Sequence, residues 1–396
     1  MTTRKEYLQS VKLGYHTISR QEQGLILSEV VQRTGLNRKY VIRIFAPRHV
    51  IHVKPVKQVR LRGRIYPASD TLYLYRFWKL MDYPCGVRLQ AAIGEIVLKV
   101  KQFQEMNIPD EVSGRLLKIS PRTIDERLRK YKQERRRKIM GTTKPGSLLK
   151  KQIPIQTSSW EEKRPGFGEL DTVAHCGESA GGEFIVSLGY TDISSQWTEY
   201  EAVVGKAQKN IQKGIDTMET RLPFRLRGID PDNGSEFINW ALYQSCQKKK
   251  IVFTRGRPYH KNDNAHIEQK NWTHVRQLFG NKRRTSQKEC DLMNDLYRNE
   301  WRLYKNFFQP NLKLIKKIRY GKHHDRIKNI YDGPQTPYQR LLKSPQIQKE
   351  KKQQLKALYE TLNPFELKRQ IEKKLDRINR IRTTPHKTGT SFQSPF

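Results

Sequence analysis

The chain has 396 residues, 77 Lys and Arg against 39 Asp and Glu, and a formal net charge of +38. That length exceeds what one ordinary core serves, so roughly two to four domains are expected. A hydrophobic fraction of 36% that includes 14 Phe, 18 Tyr and 6 Trp excludes a merely disordered basic chain, and the cationic excess calls for a polyanionic partner, of which nucleic acid is the commonest.

Cys85, Cys176, Cys246 and Cys290 stand far apart with no Cys-x-x-Cys pair, which argues against a zinc ribbon or a disulfide framework and for four reduced thiols. The opening Met1-Thr2-Thr3-Arg4-Lys5 leads into polar sequence, and no stretch approaches the roughly 18 apolar residues of a membrane span. A cytoplasmic protein without a membrane partner is expected.

In chain order, residues 15 to 48 read as helix, turn, helix. Leu25, Ile26, Val30 and Val31 supply helical spacing, Thr34-Gly35-Leu36 the turn, and Asn37 the N-cap of a second helix reaching Phe45. Tyr40, Val41 and Ile44 are expected inward, with Arg38, Lys39 and Arg43 on an outer face suited to a major groove. The design recurs near 110 to 131, where Val112, Leu116 and Leu117 form a stripe, Ile119 enters a turn and Ser120-Pro121 starts a helix with Ile124 and Leu128 inside. Arg122, Arg127, Arg129 and Lys130 decorate that helix, and Leu72 to Val100 reads as the remaining helices of these small domains. Eight of the twelve residues from Arg127 to Lys138 are basic, including Arg135, Arg136 and Arg137, and a Gly, Pro, Ser and Thr-bearing linker comes next. A solvated charged helix end explains that composition equally well, though not its placement.

Residues 166 to 282 alternate strand and helix signals. Leu170 to Val173, Phe184 to Tyr190 and Thr198 to Val204 read as strands, followed by a helix over Lys206 to Thr220 and a strand over Phe224 to Ile229. Ser235 to Lys249 is expected helical, Ile251 to Thr254 extended and Asn264 to Phe279 helical, an order that fits a mixed α/β sheet. Later, Gln348 to Leu362 and a segment from Pro364 with Leu367, Ile371, Leu375 and Ile378 read as helices.

Three carboxylates stand out of this frame. Asp171 ends Gly168-Glu169-Leu170-Asp171; Asp232 opens Asp232-Asn233-Gly234-Ser235-Glu236-Phe237; Glu268 lies in Asn264-Ala265-His266-Ile267-Glu268-Gln269-Lys270-Asn271. The intervals are 60 and 35 residues. Asn233-Gly234 is a turn pair that would leave Asp232 at the sheet edge. Asp230 is its rival for the role, Glu236 reads as a first-turn residue favoured by the helix dipole, and Asp192 as a turn residue. His175 and Cys176 have no other soft ligands grouped with them and read as structural, and His323-His324 as an exposed loop. Arg255 to Lys261 reads as a flexible basic loop.

On these motifs the chain resembles the DDE transposases and integrases of the retroviral-integrase superfamily, specifically over 166 to 282. The resemblance implies a ribonuclease-H-like core in which Asp171 bridges two Mg²⁺ or Mn²⁺ ions and Asp232 and Glu268 each serve one, since hard oxygen ligands suit such ions. It implies a transposase that recognises the terminal inverted repeats of a mobile element, hydrolyses a phosphodiester there and joins the 3′-OH to target DNA, without a nucleotide cofactor. Double-stranded DNA is the expected partner, on which a dimer or larger assembly forms. Many members carry Lys or Arg seven residues after the glutamate; here that position is Val275, so Asn271, His274, Arg276 and Lys270 are the substitute DNA-contact candidates. Trp272 is expected to join the core. With no signal for a closing β-barrel and no N-terminal His and Cys pairs, a bacterial, nucleoid-associated insertion-sequence enzyme is favoured over a retroviral one. The alternatives are a non-catalytic, sequence-specific DNA-binding regulator derived from such an enzyme and a nuclease acting on RNA-DNA hybrids.

The expected architecture is thus multidomain: helix-turn-helix domains over 1–60 and 61–140, a basic linker over 141–165, an α/β ribonuclease-H-like core over 166–282, a mainly α region over 283–381 and a basic, disordered tail over 382–396.

Overall fold

The computed structural model describes residues 4–51, 65–136, 164–231, 236–237, 239–254, 267, 270–320 and 326–381. The linker up to residue 163, the 255–261 loop, His323-His324 and the 382–396 tail lie outside these residues. The chain forms two compact units, Met1–Ile65 and Tyr66–Phe396, and no described helix is long and apolar enough to cross a membrane.

The first unit is three helices, α1 (Arg4–Tyr15), α2 (Arg20–Thr34) and α3 (Arg38–Phe45). Ser19 and Glu22 form a reciprocal capping box at the start of α2, and Gly35, at φ +69°, ends it in the left-handed conformation that glycine adopts without strain. Asn37 accepts from the Lys39 amide as the N-cap of α3. Leu8, Tyr15, Leu27, Val30, Val41, Ile44 and Phe45 make the core. Tyr40, expected inward, faces solvent, as does Leu25 of the apolar spacing in α2. The helical phase that buries Leu27 with Val30, and Val41 with Ile44 and Phe45, turns them out.

The second unit begins with α4 (Ala68–Leu80), α5 (Gly86–Phe103), α6 (Asp110–Leu117), α7 (Pro121–Arg127) and α8 (Arg129–Arg136). Ser120 caps α7 by accepting from the Thr123 amide, and Val112, Leu116, Ile119, Ile124 and Leu128 are buried together, whereas Leu117 faces out. A two-pronged pair from Arg115 to the buried Asp70, at 2.8 and 2.9 Å, ties α6 to α4. Gly86 opens α5 where its amide donates to Asp125 Oδ1 of α7 at 2.9 Å.

After the linker in sequence comes a five-stranded sheet in the order β3-β2-β1-β4-β5, built from β1 (Phe167–Ala174), β2 (Ile185–Asp192), β3 (Thr198–Val204), β4 (Gly228–Pro231) and β5 (Val252–Phe253). The first three strands form an antiparallel meander, and β4 and β5 join parallel to β1. This is the ribonuclease-H-like arrangement expected of an integrase-type core. Helices α9 (Gln208–Glu219) and α10 (Trp240–Lys249) bury Ile211, Ile215, Met218, Leu242 and Cys246 with Leu170, Leu188 and Ile229. Asp192, fully buried, closes the turn after β2 by accepting from the Gly166 amide and from Ser195 N and Oγ; burial pushes its carboxyl up to about 6.

A long helix covers the outer edge of β3: α11 (Gln287–Leu296) continues through two wide π turns, Tyr297–Trp301 and Tyr304–Phe308. Asn294 exchanges two hydrogen bonds with the backbone of Ala202, at 2.6 and 2.8 Å, and Asn306 does the same for Thr198, at 2.9 and 2.8 Å. Arg221 donates to Tyr200 O at 2.9 Å, so side chains satisfy the outward backbone groups that another strand would otherwise take. The hairpin of β6 (Leu314–Tyr320) and β7 (Arg326–Tyr331) is an element that the sequence pattern does not announce. After it come α12 (Pro337–Lys343), α13 (Lys349–Thr361) and α14 (Pro364–Arg380), the last two where periodicity places them. Ile371 and Ile378 of α14 join the core with Val173, Met293 and Tyr297.

All four cysteines are free thiols. A Cβ on Gly86 would lie 2.2 Å from the Pro121 carbonyl oxygen and 2.8 Å from Asp125 Oδ2. Because the first obstacle is backbone, Gly86→Ala is expected to force α5 and α7 apart and destabilise the second unit by about 1–3 kcal/mol; an unchanged thermal melting midpoint would contradict this packing.

Candidate active site on the central strand

Asp171 lies in β1 opposite Gly189 of β2 and is half-buried. Its Oδ1 accepts the Thr172 amide at 2.7 Å and its Oδ2 accepts Asn271 Nδ2 at 2.6 Å. The approach of Asn271 depends on Gly189. A Cβ there would sit 2.7 Å from the Tyr200 ring, 3.1 Å from Ile267 and 3.2 Å from Asn271 Oδ1. A glycine in mid-strand is a sequence signal for such close approach, and the carboxylate motifs alone do not single it out.

Asp232 and Glu268 lie outside the described residues, but the residues preceding them are placed. Pro231, before Asp232, pairs with Leu170, before Asp171. Ile267, before Glu268, is fully buried and donates its amide to Glu169 Oε2 at 2.9 Å. The residues before Asp232 and Glu268 therefore come to adjacent residues of β1, Leu170 and Glu169. Asp230, the rival of Asp232, is buried in the sheet opposite Glu169 and accepts from Thr254 Oγ1 at 2.9 Å.

Glu236 precedes α10, whose N-cap is Asn239, and so is not the first-turn residue the sequence suggested. It accepts from Thr172 Oγ1 and from Lys206 Nζ, each at 3.1 Å. Burial pushes its carboxyl up, but its own backbone amide and Lys206 outweigh this and hold it below the usual range. Among the described residues no group of three or more His, Cys, Asp or Glu is arranged to hold a metal ion. Asp171 is the described candidate ligand. Beside it, Asn271 Oδ1 is buried without a hydrogen-bond partner among the described residues, and an orphan oxygen next to a half-buried carboxylate fits the hard-donor surroundings of a hydrated divalent ion.

Lys270 and Asn271 are helical and lead into a π turn over Trp272–Arg276, a local widening that recurs at functional sites. It keeps Asn271 and Val275 inward but leaves Trp272 47% exposed, not in the core as expected. His274 is buried against Tyr200 and Trp301, with ring centroids at 5.8 and 6.0 Å, and burial among cations pushes its ring well below the usual histidine range. Lys270 is also buried and lines a cavity, while Arg276 is half-buried.

On α3, Arg38, Lys39 and Arg43 are exposed. Arg38 donates to Ser28 Oγ at 2.7 Å and Gly24 O at 3.2 Å, and Arg43 stacks over Tyr40 at 5.1 Å. In the second unit Arg122, Arg129 and Lys130 are exposed, whereas Arg127 is half-buried and donates to Tyr66 O at 2.7 Å. The side chains of Arg135 and Arg136 and all of Arg137 lie outside the described residues.

His175 is fully buried and its Nε2 bonds Ser187 Oγ at 2.8 Å, which in turn bonds the Tyr297 hydroxyl at 2.8 Å. Burial, with Arg276 and Arg284 near, pushes His175 down to about 3. The unfolded chain takes up this proton near pH 6.5 and the folded chain does not, so stability falls as pH drops from 6.5 toward 3, by about 1.4 kcal/mol per unit. Urea unfolding at pH 7 and 5 should show wild type losing about 2 kcal/mol more than His175→Gln; equal losses would remove the histidine from the acid response.

No family model matches the chain. It is similar in structure to the crystallised catalytic core domain of BIV integrase, with a TM-score of 0.28 and 15% identity over 43% of this chain and 91% of that one. In sequence it is 30% identical over 341 residues to the uncharacterized protein y4rM of Sinorhizobium fredii, a match spanning 86% of this chain and 95% of that protein. The chain therefore belongs to the same protein family as y4rM.

Proposed function

We propose that the protein is a DNA transposase that binds the ends of a mobile element, hydrolyses phosphodiester bonds there and joins the 3′-OH to target DNA. The observation that carries this reading is the meeting at β1: Asp171 lies on the strand, Pro231 is paired with Leu170, and Ile267 is bonded to Glu169. Asp171, Asp232 and Glu268 would hold two Mg²⁺ or Mn²⁺ ions. When bound, these ions supply the charge that stabilises the attacking and leaving oxygens of an in-line displacement.

The chain's own residues prepare that centre. Thr172 N–H and Asn271 Nδ2 each engage one oxygen of Asp171 and fix the carboxylate plane. Gly189 holds the space for Asn271. Lys39 and Arg43 on α3, and Arg122, Arg129 and Lys130 around α7, offer exposed cations to phosphates, and the charge of +38 draws DNA in from a distance. Joining two element ends requires a dimer or larger assembly on DNA.

Asp171→Asn, Asp232→Asn and Glu268→Gln should each lower Mg²⁺-dependent cleavage and joining of an element-end duplex by at least about 10³-fold, with binding nearly unchanged. Asn271→Ala, which only loosens Asp171, should cost about 10- to 100-fold. Specific binding with no cleavage by wild type would replace the enzyme with a DNA-binding regulator. Separately, Lys39→Ala should weaken binding to all sequences alike and reduce the slope of log affinity against log salt by about 1; an unchanged slope would take α3 off the phosphate backbone.

A further inference from the structure

Within the second unit a cavity of about 250 Å³ is walled by the α4–α5 connection, the π turn and the long helix after α11. Arg88, Lys270 and Lys305 line it against one carboxylate among the described residues, Asp82. Asp82 is already engaged by two ammonium groups, Lys305 at 2.8 Å and Lys368 at 2.6 Å. Arg88 donates to the carbonyl of Pro310 at 2.5 Å and has no ion pair among the described residues. Lys270 is only 7% exposed, and among the described residues no carboxylate or carbonyl partners its ammonium. Buried cations without counter-charge are costly, and folded chains tolerate them where a ligand supplies the missing charge.

The backbone around the cavity is also held in rarely used conformations. Asp82, Tyr83 and Gln196 have φ of +55°, +61° and +63°, and all three line it. Non-glycine residues in that region carry strain that gathers at ligand sites. At about 250 Å³ the space is smaller than the roughly 300–1,000 Å³ that holds a drug-sized ligand. It suits a compact polyanion, with the planar Arg88 fork and the Lys270 point charge as complementary donors.

We infer that this cavity is a binding site for a phosphate group, lodged between Arg88 and Lys270, with Lys305 behind. The site is separate from the carboxylates of β1, and its occupancy requires neither divalent metal nor DNA cutting. The phosphate is either a free ion or part of a nucleic-acid strand, whose chemistry is the same.

The test uses the full chain, without divalent metal, in chloride buffers of matched ionic strength. Calorimetric titration of wild type with inorganic phosphate should give saturable one-to-one binding, and millimolar phosphate should raise the melting midpoint by about 2–4 °C. Lys270→Met should melt higher than wild type without phosphate and lose the phosphate-induced rise. Arg88→Met should also lose that rise, and it decides the matter if Lys270→Met does not fold. A rise of equal size in the variants, or no saturable binding by wild type, would reduce the effect to screening of a highly charged chain and overturn the site. Competition then assigns the source: displacement by a 5′-phosphorylated oligonucleotide but not by its 5′-hydroxyl twin marks a strand end, displacement by both a backbone phosphate, and displacement by neither the free ion.

Discussion

Strand β1 is hydrogen-bonded along both edges, antiparallel to β2 and parallel to β4, and the candidate site takes its geometry from that double pairing. A strand paired on both sides cannot slip by one residue without sending its whole inner face outward. The register that sets Leu170 beside Pro231 also sets Asp171 beside Gly189, so one constraint orients the carboxylate and leaves room for Asn271. The parallel pair β1–β4 needs a long crossover. The chain uses that crossover for β2, β3 and α9, which puts most of the core between the first two motif carboxylates.

The sheet would be exposed at β3 without the long helix that begins at α11. Glu199 and Glu201 are buried on that strand and are met by Arg221, Arg298 and Arg302, at 3.0 Å for the Arg302–Glu199 and Arg221–Glu201 pairs. Breaking such a buried pair costs about 3–5 kcal/mol because a lone charge remains inside. Together with the amides of Asn294 and Asn306, these contacts make the long helix part of the sheet's edge. They explain why α14, arriving late in the chain, packs into the same core. Lys99 of α5 likewise donates to Tyr359 O at 2.8 Å, which binds the helices before the sheet to those after it in one unit.

How legible is this in the sequence? The strand and helix order of the core, the N-caps Asn37 and Ser120 and the last two helices come from turn chemistry and periodicity, which are local. Phase and partnership are not local. Leu25, Tyr40 and Leu117 are apolar and fall within helical spacing, yet a short helix with several apolar residues admits more than one inward face, and tertiary packing chooses. Trp272 turns out because a π turn adds a residue to the helical turn, which no 3.6-residue count anticipates. The β6–β7 hairpin escapes notice because basic residues interrupt its apolar ones and its strands lack a two-residue alternation strong enough to read. At the site, the sequence marks Asn271 as a DNA-contact candidate and not as the partner of Asp171, and the role of Gly189 is not legible, since it rests on contacts made by residues some eighty positions later.

The helical pair Lys270-Asn271 faces two different electrostatic environments. Asn271 reaches the carboxylate of β1, while Lys270, its neighbour in sequence, reaches a cavity where cations outnumber acids. Adjacent helical residues point about 100° apart, so one short segment can serve an acidic strand and a basic cavity without either group crossing the other. Reversing the two residues would place an ammonium against Asp171 and a neutral amide against Arg88 and Lys305. The first would set a fixed cation beside the carboxylate proposed to hold metal, and the second would ease the crowding of positive charge in the cavity. The order Lys270-Asn271 is the one that keeps the ammonium away from the candidate ligand, at the cost of burying it among other cations. Selection for folding alone would favour an apolar residue at position 270, where every described neighbour that carries charge, apart from Asp82, is positive.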